Sequence, residues 1–215
     1  MIIVIGGEKG GTGKTTIATN LASLHVKNGK ELLLIDTDIQ GSASSWAATR
    51  DTNTEVRRIP SIQKFGKGLT AEVKELSQKY ESIIIDAGGR DSVELRASMI
   101  IADKLYIPIQ ASQFDVWTIG KMDQLVENAR IYNPDLEAFI VFNRASTNRS
   151  VSESQEAIEI VKNEFEQLKV FDGIIYDRIA YRKAAKLGLS VIDLPNGDSK
   201  AINEIKLLYG DIFNG

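Results

Sequence analysis

Residues 8–16 read EKGGTGKTT and follow directly on the apolar run IIVIG at 2–6. A phosphate-binding loop of the pattern G-x-x-x-x-G-K-[ST] would put glycine at position 8, where this chain has Glu8 with Lys9 beside it. The rest of the pattern is intact, and a helical periodicity begins at about Lys14. Strand, glycine-rich loop and helix in that order are the context in which the pattern signals a phosphate site. In the turn formed by Gly10, Gly11, Thr12 and Gly13, backbone N–H groups can converge on phosphate oxygens, and the helix N-terminus adds its dipole. Lys14 is then expected at the β and γ phosphates, the Thr15 hydroxyl on Mg²⁺ and Thr16 on the α phosphate. A glycine-rich structural turn is the alternative, and G-K-T-T opening a helix argues against it.

Further apolar runs bounded by turn residues recur as ELLLI (31–35), SIIID (82–86), KLYIPI (104–109) and EAFIVFN (137–143). Continuous β-branched runs of this kind suit strands buried on both faces, as in a parallel sheet. Helical patterns lie between them near 14–28, 69–80, 92–102, 116–131 and 151–168. Strand alternating with helix predicts right-handed crossovers and a doubly wound α/β fold, a mostly parallel sheet with helices on both faces. The tail continues in the same style with GIIYD at 173–177, a helix-like IAYRKAAKLG closed by Gly188, SVIDL at 190–194 and a last helix from about 199. No linker divides the chain, so residues 1–215 are expected to form one domain. The polar stretch 50–68 is expected to hold a strand with flanking loops, and its five lysines and arginines are read as a solvated face.

With 215 residues, 43% of them hydrophobic and 26% charged, the composition is that of a globular protein large enough for a full core. The absence of cysteine excludes disulfide frameworks, iron-sulfur clusters and thiolate zinc sites, and makes the cytosol the expected compartment. No apolar run approaches the roughly 20 residues needed to span a bilayer, and MIIVIG lacks the charged flank of a signal peptide. The formal net charge of −3 argues against a strongly basic nucleic-acid binder, although a local basic patch can form where acidic residues segregate elsewhere. The lone His25 is expected at the surface or half-buried on the first helix.

KGGTGKTT at 9–16 resembles the deviant Walker A loop of the ParA and MinD superfamily of ATPases, whose signature is the extra lysine, here Lys9. The resemblance implies ATP as the nucleotide, a homodimer that sandwiches two ATP molecules, and Lys9 crossing the interface to the phosphates bound by the other subunit. A cation supplied in trans would stabilise charge on the transferring phosphoryl group. LLLIDTDIQGSASSW at 32–46 looks like the family's D-x-D-x-Q segment, with Ile39 where proline is usual. That match implies Asp36 near Thr15 and the magnesium shell, and Asp38 orienting the attacking water. Two aspartates after a strand also suit a plain cap on the next helix. Both would lie at the carboxyl edge of the sheet, however, where α/β ligands bind.

SIIIDAGGRDS at 82–92 resembles a Walker B strand, with Asp86 on a magnesium-bound water and Gly88 and Gly89 leaving the loop free to move with the γ phosphate. DAGG departs from the D-x-P-P or D-T-P of many relatives and is similar to the small plasmid-partition, ParF-like branch. Asn143 matches an asparagine the family places on adenine. Residues 175–193 resemble its later base-side loop, which implies Arg178 and Tyr181 beside the purine. Tyr181 is equally readable as core packing. Pro108 and Asp115 fit the pattern of residues that shape the dimer face.

Missing features narrow the branches. The tail AINEIKLLYGDIFNG holds acidic residues and a glycine instead of a basic amphipathic helix, so no membrane partner is expected. The loop begins within ten residues of Met1, so no N-terminal helix-turn-helix is expected. The resemblance then implies a short ParA-type ATPase that partitions plasmid DNA or positions another cargo. Its hydrolysis of ATP to ADP and phosphate would be slow and stimulated by a centromere-binding or adaptor protein. The ATP dimer would bind DNA without sequence preference, putting a cytoplasmic protein on the nucleoid. Candidate DNA contacts are Arg144, Arg149, Lys200 and Lys206. The alternative is a P-loop small-molecule ligase of the dethiobiotin synthetase type, which shares the fold and loop but needs a carboxylate and amine site that no residue set declares.

Overall fold

The computed structural model describes residues 1–110, 113–147 and 151–214, with the backbone alone at 113–117 and 151–155. The apolar runs become strands β1 (Ile2–Ile5), β2 (Leu32–Asp36), β4 (Ser82–Asp86), β5 (Lys104–Ile109), β6 (Glu137–Ala145) and β7 (Lys169–Tyr176), and the polar stretch supplies the short β3 (Ser61–Gln63). They form one sheet in the order β3-β2-β4-β1-β5-β6-β7, parallel at every pairing. The helices between them are α1 (Lys14–Lys27), α2 (Ser42–Asp51), α3 (Leu69–Leu76), α4 (Val93–Met99), α5 (Gln113–Arg130), α6 (Val151–Glu164), α7 (Ile179–Lys186) and α8 (Ser199–Phe213).

Because successive strand residues point to opposite faces, the buried runs feed two cores. Ile3, Ile5, Leu34 and Ile84 pack with Ile17 and Leu21 of α1, Trp46 of α2, Ala184 of α7 and Ile205 and Leu208 of α8. Ile2, Val4, Leu33, Ile35, Ile83 and Ile85 pack on the other side with Val73, Leu95, Met122 and Val161 from α3, α4, α5 and α6. Two helical layers around a parallel sheet are the doubly wound arrangement expected from the alternation of strands and helices.

α1 is enclosed by neighbours on nearly every side, so its polar residues are buried too and must find partners. The Thr19 hydroxyl bonds the Thr15 carbonyl, Asn20 bridges the Thr16 carbonyl and the Val191 N–H, and the Ser23 hydroxyl donates to Asp193. His25, expected nearer the surface, is 3% exposed. It packs on Phe213 with ring centroids 4.4 Å apart, and its Nδ1 lies 3.1 Å from the Tyr209 hydroxyl. α8, which folds back over α1, is what buries it.

SVIDL at 190–194 is a turn and not a strand. Its chain is captured by Asp193, whose carboxylate accepts from the Ser190 N–H and hydroxyl, the Ser23 hydroxyl and the Arg50 guanidinium. Burial alone would raise the Asp193 pKa, but these donors outweigh it and hold the carboxyl below the usual range. Among the described residues no helix is long and apolar enough to cross a membrane.

Candidate functional site

Register brings the candidate residues together. Asp36 at the end of β2 pairs with Asp86 at the end of β4, and Ile5 of β1 pairs with the same Asp86. The loop after β1 therefore opens beside two carboxylates, at the edge where the chain's crossovers change direction. Gly13 caps α1 with φ 94°, in the left-handed region that favours glycine, and a Cβ there would fall 2.2 Å from Asn143 Nδ2. No side chain caps the helix and no acidic residue occupies its first turn, which leaves its N–H groups for an anion. Ideal Cβ positions on Gly10 and Gly11 meet nothing within 4 Å, so the cradle is open.

Three loop carbonyls are tied back. Lys14 Nζ bonds the Lys9 carbonyl at 2.8 Å, Asn143 Nδ2 the Thr12 carbonyl at 2.6 Å and the Arg144 guanidinium the Gly11 carbonyl at 2.6 Å. Lys14 is 7% exposed, and burial lowers its pKa while Asp86 and Asp38 pull it back up. Lys9 is half-buried on the same loop. Thr16 borders the cavity described below.

The Thr15 hydroxyl donates to Asp86 Oδ2 at 2.6 Å, while Asp86 Oδ1 is buried without a hydrogen-bond partner. Burial pushes the Asp86 carboxyl up to about 7, with the Thr15 bond lowering it and the Asp36 charge raising it. Asp36 accepts from the Asp38 N–H at 3.0 Å and the Ser44 N–H at 2.8 Å, so it does cap α2, as the simpler reading of the two aspartates has it. Asp38 is half-buried, turns its own loop by accepting from the Gln40 N–H, and lies against Gly88. A Cβ on the adjacent Gly89 would come within 2.7 Å of Gly10 Cα and 3.1 Å of Lys14 Nζ, so the loop after β4 rests on the phosphate loop itself. A threonine hydroxyl, an orphaned carboxylate oxygen and an open anion cradle together fit a magnesium nucleotide. Among the described residues no three acidic or histidine side chains converge as a metal cage. A cation here would complete its shell with phosphate and water, as Mg²⁺ characteristically does.

Beside the loop lies a cavity of about 290 Å³ lined by Gly13, Thr16, Asn143, Arg144, Tyr176 and Tyr181 among others. That is near the low end of ligand pockets, roughly 300 Å³. Asn143 and Tyr181 thus border one space. The Tyr181 hydroxyl turns inward to the Ala201 carbonyl and Glu204, and burial raises its pKa. Arg178 is not among the lining residues; its guanidinium grips Glu204 at 2.6 Å and stacks over Tyr176. Pro108 is buried within β5 opposite Val141. Lys200 and Lys206 are exposed on α8, whereas Arg144 sits at the phosphate loop. The Asp115 side chain and Arg149 lie outside the described residues. One contact was missed from sequence. Glu8, the residue in place of the expected glycine, pairs with Lys121 of α5 at 3.1 Å. The departure at position 8 was the signal, but its partner is 113 residues away.

A family model described as the CobQ/CobB/MinD/ParA nucleotide binding domain matches residues 3–191. The chain is similar to maintenance of carboxysome distribution protein A of Halothiobacillus neapolitanus, 24% identical over 212 residues that cover 98% of this chain and 95% of that one. It is also similar to chromosome partitioning protein ParA of Myxococcus xanthus, 23% identical, with 89% of this chain and 80% of that one covered. Among solved structures, the septum site-determining protein MinD of Pyrococcus horikoshii, complexed with Mg-ADP, superposes with a TM-score of 0.74 at 18% identity, covering 99% of this chain and 95% of that one.

Proposed function

The chain belongs to the CobQ/CobB/MinD/ParA nucleotide binding domain family, and from that premise we propose that it is a ParA-type partition or positioning ATPase acting through residues 1–215 as one domain. It hydrolyses ATP to ADP and phosphate in a nucleotide-sandwich homodimer, binds DNA without sequence preference in the ATP state, and moves plasmid DNA or another cargo. The observation that carries the reading is the convergence of a two-lysine loop with Asp36, Asp38 and Asp86 at one sheet edge. Relatives matched over 95% and 80% of their own length carry names for distribution and partition, which supports the cargo role.

In this mechanism Gly10, Gly11, Thr12 and Gly13 wrap the phosphates with N–H groups, and Lys14 neutralises the β and γ oxygens. Mg²⁺, when bound, screens the charge that develops between those phosphates. Thr15 would hold it directly, with Asp36 and Asp86 bonding its water ligands. Thr16 takes the α phosphate, and the cavity beside Asn143 and Tyr181 takes the base. Arg178 acts on the base only through the loop it anchors to Glu204. Asp38 orients the water whose oxygen bonds the γ phosphorus as the bond to ADP breaks, and Lys9 of one protomer meets the nucleotide of the other. A centromere-binding or adaptor protein accelerates the step, and hydrolysis frees the dimer from the nucleoid. Calorimetric titration with Mg-ATP tests the site: the wild-type chain binds, and Lys14→Ala, lacking the principal point charge, does not. Equal affinity in the two would overturn the assignment. ATP-induced dimerisation with no added small substrate separates this reading from a small-molecule ligase.

A further inference from the structure

Arg144 has φ 55°, and among the described residues it is the one non-glycine position with a positive φ. That left-handed conformation crowds an ordinary side chain and persists where the surroundings over-determine it, most often at functional sites. The residue stands at the end of β6 between buried Asn143 and Ala145, with its own side chain exposed. Its guanidinium spans to the phosphate loop and donates to the Gly11 carbonyl at 2.6 Å. A charged donor at that length makes one of the stronger hydrogen-bond types.

The consequence follows from peptide planarity. The Gly11 carbonyl and the Thr12 N–H belong to one planar trans unit and point in opposite directions. The Thr12 carbonyl, held by Asn143, is likewise opposed to the Gly13 N–H. Two successive carbonyls drawn toward β6 therefore turn two successive N–H groups away from it, which is how a loop is prepared for an anion. Asn143 does this from beneath, buried; Arg144 does it from the solvent side, where water would otherwise compete for the same carbonyl. The same arginine borders the base-side cavity with Thr16 and Arg182.

We propose that Arg144 is a positioning residue of the phosphate loop, locking the Gly11–Thr12 peptide so that its N–H faces the nucleotide phosphates, and not a DNA contact. The proposal rests on the nucleotide-site reading above. It predicts a separation between stability and binding that a merely structural residue would not show. Arg144→Gly removes the guanidinium and the crowded conformation together, two effects of opposite sign on stability, so the nucleotide-free protein should melt close to the wild-type temperature. Its affinity for Mg-ATP should fall about tenfold to a hundredfold, the usual scale for one charged hydrogen bond. Arg144→Lys, which keeps a cationic donor, should recover part of that loss. In turnover the change should appear in KM with kcat little altered. Calorimetry with Mg-ATP, melting without nucleotide and retention on plasmid-sized DNA at saturating ATP are measured on the same preparations. Wild-type affinity in Arg144→Gly would overturn the proposal, as would an affinity loss that comes only with global unfolding at the assay temperature, or a loss of DNA retention with ATP affinity intact. Failure of the wild-type chain to bind Mg-ATP would instead refute the nucleotide reading itself.

Discussion

Asn143 is matched by sequence to an adenine contact, yet the structure engages its amide elsewhere, and alanine substitution separates the two roles. The side chain is 3% exposed, and its Nδ2 donates to the Thr12 carbonyl at 2.6 Å directly beneath Gly13. Asn143→Ala strips a donor from a carbonyl in the tightest part of the loop. Leaving a buried acceptor unsatisfied costs about 1–3 kcal/mol. Taking ~2 kcal/mol, and ~2–4 °C per kcal/mol for a chain of this size, the nucleotide-free protein should melt about 4–8 °C lower. Asn143→Asp should do at least as much damage, because it sets a carboxylate oxygen against the carbonyl where a donor is required. The assay is thermal unfolding by circular dichroism without nucleotide, paired with calorimetric titration of Mg-ATP. A residue that served only the base would lose affinity and leave that melt untouched. An unchanged melting temperature in Asn143→Ala would refute the view that Asn143 builds the loop before any nucleotide arrives.

Asp38→Ala should retain Mg-ATP and the dimer while losing turnover, since only the orientation of water is removed; a variant that stays monomeric with ATP in sedimentation would move Asp38 from catalysis to assembly. Lys9→Ala should bind ATP as a monomer through Lys14 and lose partner-stimulated hydrolysis by the lower end of the 10³ to 10⁵ range of an interface cation, roughly 10³ or less; wild-type stimulated rates would sink the trans role. Asp193→Ala leaves Arg50, 2% exposed, without its 2.9 Å partner, and should cost about 3–5 kcal/mol by urea denaturation near neutral pH. Because the Asp193 pKa is depressed on folding, its contribution is present above the unfolded value of about 4 and is lost as pH falls through the lower folded value. The gap between variant and wild type should therefore close in acid, and a gap independent of pH would contradict the assignment.

Local pattern carried most of the fold. IIVIG, SIIID and KLYIPI are runs whose burial on both faces leaves few alternatives to a parallel strand, and G-K-T-T marks the start of α1 unaided. SVIDL has the same apolar character but contains Asp193, and its turn depends on Arg50 and Ser23, residues more than a hundred positions away. Asp36 accepts from the Ser44 N–H in the first turn of α2 and stands beside Asp86 by strand register, and only the first of these contacts is local enough to be read from D-T-D. Arg144 is a candidate DNA contact in the sequence because nothing local in FNRAS announces a left-handed backbone or the reach to Gly11. Glu8 is the reverse case: the departure from glycine is visible, while the Lys121 that it meets belongs to α5, the helix that follows β5.

A nucleotide-gated hold on DNA by an acidic chain is the core of the proposed function, and dimerisation would make it feasible by doubling modest phosphate contacts. Sedimentation of the wild-type protein with plasmid-sized DNA, in ATP, ADP or a slowly hydrolysed ATP analogue, tests it directly. The account predicts retention with ATP and the analogue but not with ADP, falling steeply with salt at a log-log slope of about 0.9 for each phosphate neutralised. Equal retention with ADP and ATP, or none with either at low salt, would contradict it.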